Sequence, residues 1–448
     1  MTAINHLLKY LKQPLSIAPL VIFRIAFGAL LFLSTLRFIL KGWVYQFYIL
    51  PKMNFPFYGF EWVKPLPAFW MYVVFFLMLL SAILIIVGLY YKIAMWLFFI
   101  LFTYVELIDK TNYLNHYYFV SIICFILACV PANLSFSLDV KWRRKKEIQL
   151  IPNFYIFIIQ LQLFLVYFFA GVAKINYDWL IEAQPLKLWL PAFSHFAIIG
   201  KYLELDWVAY LFCWFGCIYD LSIGFLLFNK KTVKVAYLFV LIFHFATALF
   251  FNIGMFPYVM IVITLIFFKE ETHLFILEKL KRLFKYSLPE ISTNHVQPLK
   301  PFILALFSIY FFIQFLLPFR YLLYDGELFW TEQGYRFSWR VMLMEKAGSA
   351  FFYVKDSKSN KMVEVDNKKY LTYMQEKQMA TQPDMMVDYA QFLKKEYTNM
   401  GFTNPKVTAQ SYVTLNGKGS REFINDTIDL SLESNSFFKN KTWIKDFK

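Results

Sequence analysis

Long apolar runs, almost free of charge, alternate with short polar connections over the first 318 residues. They fall at about 18–40, 68–90, 92–108, 116–134, 152–173, 205–228, 234–251, 253–268 and 300–318. A helix needs roughly 20 apolar residues to cross a bilayer, so the longer runs predict spanning helices. The run at 253–268 is short and follows a Gly/Pro break, Asn252-Ile253-Gly254-Met255-Phe256-Pro257. Such breaks are tolerated where backbone lines a cavity, so a partial or broken helix is expected there. The pattern predicts eight or nine spans, with nine favoured.

Beyond residue 318 the long apolar runs stop and charge rises. Stretches 350–356, 361–366 and 407–415 alternate or are β-branched and predict strands. Residues 384–400 carry a helical pattern that ends at Gly401. The expected fold class is a polytopic α-helical membrane protein, residues 1–318, with a small C-terminal α+β domain, residues 319–448. Segment 272–285 is amphipathic and basic, as in a helix lying along the membrane interface.

Composition narrows the class further. With 59% hydrophobic and 17% charged residues, the chain falls well below the quarter charged of an ordinary soluble enzyme. The net charge of +15 alone would suggest nucleic acid. The basic residues instead sit in loops that flank the runs, so the bilayer is the expected partner and nucleic acid is not. They crowd the N-terminal tail and the loops at 135–151, 229–234 and 269–300. Positive-inside reasoning puts the N-terminus in the cytoplasm, and nine crossings put the C-terminal domain outside it: the bacterial periplasm or the endoplasmic reticulum lumen. The basic, polar first 17 residues do not read as a cleavable signal peptide. Cys124, Cys129, Cys213 and Cys217 lie inside runs at spacings that make no zinc site and read as packing residues.

Polar groups within spans are costly and mark candidate sites. Asn115 and His116, Lys174, and His244 with Asn252 all approach the expected outer face. Lys174 reads either as a lysine snorkelling at a span end or as a base made neutral by an apolar pocket. Tyr167, seven residues earlier, shares its helical face. His116 and His244 read as buried hydrogen-bonding residues or as electrostatic groups of a site; no metal ligand set accompanies them. Asp220 either pairs with a polar group on another helix or sits in the interior, and Arg24 reads as structural.

Several blocks resemble a known family. They are YFFAGVAKINYDW at 167–179, DKTNYLNH at 109–116, DLSIGFLLF at 220–228, HFATALFFNIGMFPY at 244–258 and WTEQGYRFSWRVML at 330–343. Their types and order are similar to the vitamin K-dependent gamma-glutamyl carboxylase family. The resemblance implies a membrane carboxylase/epoxidase that takes reduced vitamin K (phylloquinol or a menaquinol), O2 and CO2, with no metal. Hydroquinone oxygenation to the epoxide yields a strong base, a γ-proton leaves a peptidyl Glu, and the carbanion takes up CO2. By the same resemblance, Lys174 deprotonates the hydroquinone and His116 sits near the carbanion and CO2. His244, Asn252, Met255, Phe256 and Tyr167 shape the quinone site. Tyr335, Trp339 and Asn115 meet the Glu-containing peptide or protein. The chain departs from the family pattern at Ala173, where animal enzymes carry a second lysine, and at Tyr321 and Met344, where histidines are expected. The alternatives are a hydroquinone epoxidase without carboxylation and a non-enzymatic quinone- or lipid-binding membrane protein.

Overall fold

The computed structural model describes residues 2–142, 144–251, 253–286, 296 and 298–447. The apolar runs become helices, and local chemistry sets their ends. After α1 (Thr2–Lys12), helix α2 (Ala18–Leu40) opens with a proline in its first turn, where the missing N–H costs nothing. Helix α3 (Ala68–Val87) stops at Gly88, whose φ of +67° is left-handed. Helix α4 (Tyr91–Ile108) follows. Helix α5 (Asn115–Cys129) is shorter than its apolar run because Val130, which precedes Pro131, turns extended. Then come α6 (Phe154–Ala173), α7 (Asp206–Phe228) and α8 (Val233–Phe250). Helix α9 (Phe256–Thr264) begins at the Gly/Pro break and is short, as its sequence predicts. Helix α10 (Glu270–Leu283) is the amphipathic basic segment, and α11 (Pro301–Leu316) closes the apolar part. Among the described residues, seven helices are long and apolar enough to cross a membrane. Helices α5 and α9 are the two shorter apolar ones, so this is a polytopic helical membrane protein.

At one end of the bundle, β1 (Pro14–Ser16) pairs antiparallel with β2 (Leu150–Pro152). The Ser16 N–H donates to Glu270 of α10 at 2.9 Å. Arg24 is fully buried and donates to the carbonyls of Ala132 and Phe136 at 3.1 and 2.6 Å. It holds the turn after α5, a structural role.

At the other end sits a four-stranded antiparallel sheet, ordered β4-β3-β5-β6. The strands are β3 (Lys346–Lys355), β4 (Met362–Glu364), β5 (Lys406–Leu415) and β6 (Lys418–Glu422). Strands β3 and β5 pair from Lys346 opposite Leu415 to Lys355 opposite Lys406. Asn416 and Gly417, at φ +50° and +74°, make the tight turn into β6. Alternate residues Ala350, Phe352, Val354, Val407, Ala409 and Val413 are buried. Helices α12 (Tyr373–Met379) and α13 (Pro383–Asn399) add to this core, with the Phe352 and Tyr389 rings 4.8 Å apart. The same apolar cluster runs on through Ala173, Trp179, Cys213 and Phe250. The sheet is therefore packed onto the ends of α6, α7 and α8 and does not hang from a tether.

Candidate active site

Close approach of α6 and α7 builds the centre of the site. A Cβ on Gly171 would lie 2.7 Å from the Leu221 backbone nitrogen, and one on Gly224 would lie 2.6 Å from the Phe164 ring. Small residues at a helix contact let backbones approach. Lys174 caps the end of α6, and its side chain folds back toward α7. Its Nζ donates to Asp220 Oδ2 at 2.7 Å and to the Ala170 carbonyl at 3.3 Å, with the Trp179 ring centre 5.4 Å away. Both partners of the ion pair are buried. Trp179 is itself fixed by donating its Nε1–H to the Cys213 carbonyl at 2.8 Å.

A cavity of about 370 Å3 opens beside this pair. Its wall is almost wholly apolar, and the polar exceptions include Asn115, Tyr167, Lys174, Asp220 and His244. Tyr167 and His244 are joined through the tyrosine hydroxyl and Nε2 at 3.0 Å. Among the described residues, the buried His244 Nδ1 and Trp339 Nε1 have no hydrogen-bond partner, and both residues line the cavity. Buried polar atoms of this kind leave donors or acceptors free to meet a bound group. Leu211, Phe215 and Ile242 also line it, yet are 55%, 42% and 52% exposed. Its mouth therefore lies between α7 and α8, on the apolar flank of the bundle.

A second, more polar cavity of about 670 Å3 lies against the first. His116, Met255, Tyr335 and Arg340 line it, and it shares Asn115, Ile253, Phe256, Val341 and Met342 with the apolar cavity. Those five residues form a partition. The Phe256 ring centre is 5.6 Å from that of His116, which lines the polar cavity, and 5.8 Å from that of His244, which lines the apolar one. Asn115 holds the partition by donating to the Arg340 carbonyl at 2.7 Å while accepting from the Tyr113 hydroxyl at 2.9 Å. Tyr113 in turn accepts the Phe337 N–H at 2.8 Å. The ring of Trp339 stacks on Tyr118 at 5.1 Å. Phe337, Trp339 and Met342 all have φ between +55° and +63°, a costly backbone for non-glycine residues that surrounding contacts must hold.

The loop between α4 and α5 is clamped to α13. Lys110 Nζ lies 2.9 Å from Asp384 and 2.6 Å from Asp388, and Arg336 Nη1 lies 2.6 Å from Asp384. Burial alone would raise the Asp384 carboxyl, but Arg336 and Lys110 outweigh it and hold it well below the usual range. Burial pushes Lys441, beside this cluster, down to about 8.

The structure thus distributes the expected residues over two adjoining cavities. Lys174, Tyr167, His244 and Trp339 line the apolar one, His116, Met255 and Tyr335 the polar one, and Asn115 and Phe256 both. Asn252 lies outside the described residues. Sequence reasoning left the Lys174–Asp220 pairing open and passed over Trp179 and Arg340. Asp220 was marked by its charge within an apolar run, but its partner lies 46 residues away.

An apolar cavity reached from the flank of a membrane bundle, with a buried ion pair at its wall, defines an integral membrane protein equipped for a hydrophobic ligand. Residues 12–271 match the HTTM domain family, and residues 299–448 match the family described as vitamin K-dependent gamma-carboxylase, lumenal domain. The chain belongs to the vitamin K-dependent gamma-carboxylase family. No solved structure matches it.

Proposed function

We propose that this protein couples oxidation of reduced vitamin K in the apolar cavity to γ-carboxylation of a peptidyl glutamate in the polar one. The observation that carries this reading is the partition: an almost wholly apolar cavity and a more polar one share Asn115, Ile253, Phe256, Val341 and Met342. A naphthohydroquinone fits the first. Its two oxygens would meet Lys174 and His244 Nδ1, and its apolar tail would leave between α7 and α8. When bound, reduced vitamin K supplies, with O2, the strong base that glutamyl γ-deprotonation requires. The chain's own residues do the rest. Transfer of the shared proton to Asp220 leaves the Lys174 amine neutral, and that amine accepts the hydroxyl proton. Tyr167 orients His244 through their hydrogen bond. The apolar wall keeps water away, since water would quench a carbanion before CO2 arrived.

On the far side, His116 and Tyr335 face the peptide, with Asn115 in the wall between and Trp339 on the apolar side of it. In this reading residues 1–318 form the catalytic membrane domain and 319–448 an extracytoplasmic domain, which admits a water-soluble peptide from outside. The test uses purified protein with reduced vitamin K and a Glu-containing peptide. Epoxide and fixed CO2 should both form and both be lost in Lys174→Met. Epoxide without fixed CO2 would reduce the activity to epoxidation alone.

A further inference from the structure

A separate cavity of about 210 Å3 lies on the flank of the bundle, where α6 and α11 reach the end that carries the sheet. Phe169 and Val172 of α6 and Phe319, just past α11, form its apolar side. The Phe169 ring packs against Phe315 and Phe319, each with its centre 5.7 Å away. Around the opening Ile175, Phe319, Leu322 and Leu323 are exposed. Apolar side chains exposed at the ends of spanning helices meet lipid, so the cavity opens onto the bilayer at headgroup depth. Its charged groups are Arg340 and Glu327. Arg340 also lines the polar cavity, but its two ends part. Its carbonyl accepts from Asn115 at the partition, whereas its guanidinium lies 4.5 Å from the ring centre of Tyr321, which lines the flank cavity and not the polar one. Arg340 is nine-tenths buried. Among the described residues, its Nε has no hydrogen-bond partner, and no carboxylate lies within ion-pair distance of it. Glu327 is exposed, and only its main chain is engaged, by the N–H groups of Trp330 and Thr331 and the Thr331 hydroxyl.

A buried guanidinium without a counter-ion is costly unless a ligand supplies the anion. The arginine fork matches two phosphate oxygens, and basic pockets between spanning helices take lipid headgroups. A free carboxylate at the rim repels a headgroup of net negative charge and favours one that ends in a cation. We propose that the flank cavity binds an aminophospholipid: Arg340 takes the phosphodiester, Glu327 takes the headgroup ammonium, and an acyl chain follows the wall from Phe169 to Phe319. The bound lipid anchors Arg340, and the Arg340 carbonyl holds Asn115 in the partition. A bilayer component thereby braces the wall between the two larger cavities from outside.

The test is lipid binding by the purified, delipidated protein in detergent, read by native mass spectrometry and by the gain in melting temperature. The probes are phosphatidylethanolamine, phosphatidylglycerol and diacylglycerol with identical chains, and the soluble headgroup glycerophosphoethanolamine. Phosphatidylethanolamine should bind at least about fivefold more tightly than either other lipid, and the soluble headgroup should give no gain. Arg340→Gln should bring phosphatidylethanolamine down to the level of diacylglycerol. Glu327→Lys should place phosphatidylglycerol above phosphatidylethanolamine, a reversal that misfolding cannot mimic. Diacylglycerol binding as tightly as phosphatidylethanolamine, or equal binding by the unaltered and Arg340→Gln proteins, would show that no phosphate is read and overturn the proposal. Phosphatidylglycerol equal to or above phosphatidylethanolamine on the unaltered protein would overturn it as well. Tight binding of the soluble headgroup would make the cavity a site for a free phosphodiester and overturn the lipid.

Discussion

Lys174 and Asp220 meet beside a close contact between α6 and α7, with 2.7 Å between Nζ and Oδ2. Neither is useful alone at this depth, because an unpaired buried charge is strongly unfavourable. Asp220→Asn keeps an acceptor for the amine but cannot take its proton. Hydroquinone oxidation should fall by at least about tenfold at saturating hydroquinone, with a smaller change in KM. An unchanged turnover rate would remove Asp220 from the proton path. Lys174→Met should cost several kcal/mol of stability by stranding Asp220, and Lys174→Met with Asp220→Asn should restore the melting temperature without restoring activity.

Gly171 makes that meeting possible. A methyl group there would sit 2.7 Å from the Leu221 backbone, so α6 and α7 must separate to admit it. Gly171→Ala should destabilise the protein by about 1–3 kcal/mol and reduce hydroquinone oxidation. A fully active and equally stable Gly171→Ala protein would show that the close approach is dispensable.

Phe256 is the partition residue whose ring lies near both His116 and His244. Phe256→Ala should open a passage for water between the cavities. Carboxylation should then fall more than epoxide formation, raising the epoxide-to-carboxylate ratio at least about threefold. A constant ratio, measured by counting both products in one reaction, contradicts a sealing role.

Lys441 gives a pH signature outside the membrane. Burial lowers it to about 8 in the folded protein, against an ordinary 10.5. Between these values the unfolded chain binds the extra proton, so stability rises with pH across that window. The melting temperature of the unaltered protein should therefore gain on that of Lys441→Met as pH climbs from about 8 toward about 10. A difference that stays flat or shrinks would show that Lys441 keeps its ordinary proton affinity.

The helices were readable because each apolar run is longer than any soluble element needs, and the structure starts α2, α3 and α4 within a residue of the expected positions. Strands β3 and β5 were readable from alternation, and α13 from its pattern and Gly401. Helix α1 was not, since eleven polar and apolar residues carry no length signal. Strand β6 (KGSRE) is polar and carries no alternation; its pairing with β5 and distant partners such as Asp178 for Lys418 place it. The site divides the same way. Lys174 and His244 stood out as polar groups in apolar runs, whereas the Lys174–Asp220 contact depends on helix packing at Gly171. Lys110 and Asp384 are 274 positions apart, a distance at which local pattern carries no information. The left-handed residues at 337–342 are imposed by tertiary bonds such as Phe337 to Tyr113.

The central claim is that one cavity's chemistry drives the other's across the partition. The most direct measurement counts epoxide and fixed radiolabelled CO2 in parallel, in purified protein given reduced vitamin K and a Glu-containing peptide. The claim predicts that both products form, and that Lys174→Met abolishes both although Lys174 does not line the peptide cavity. Carboxylation that survives in Lys174→Met, or epoxide formed with no fixed CO2 in the unaltered protein, would contradict it.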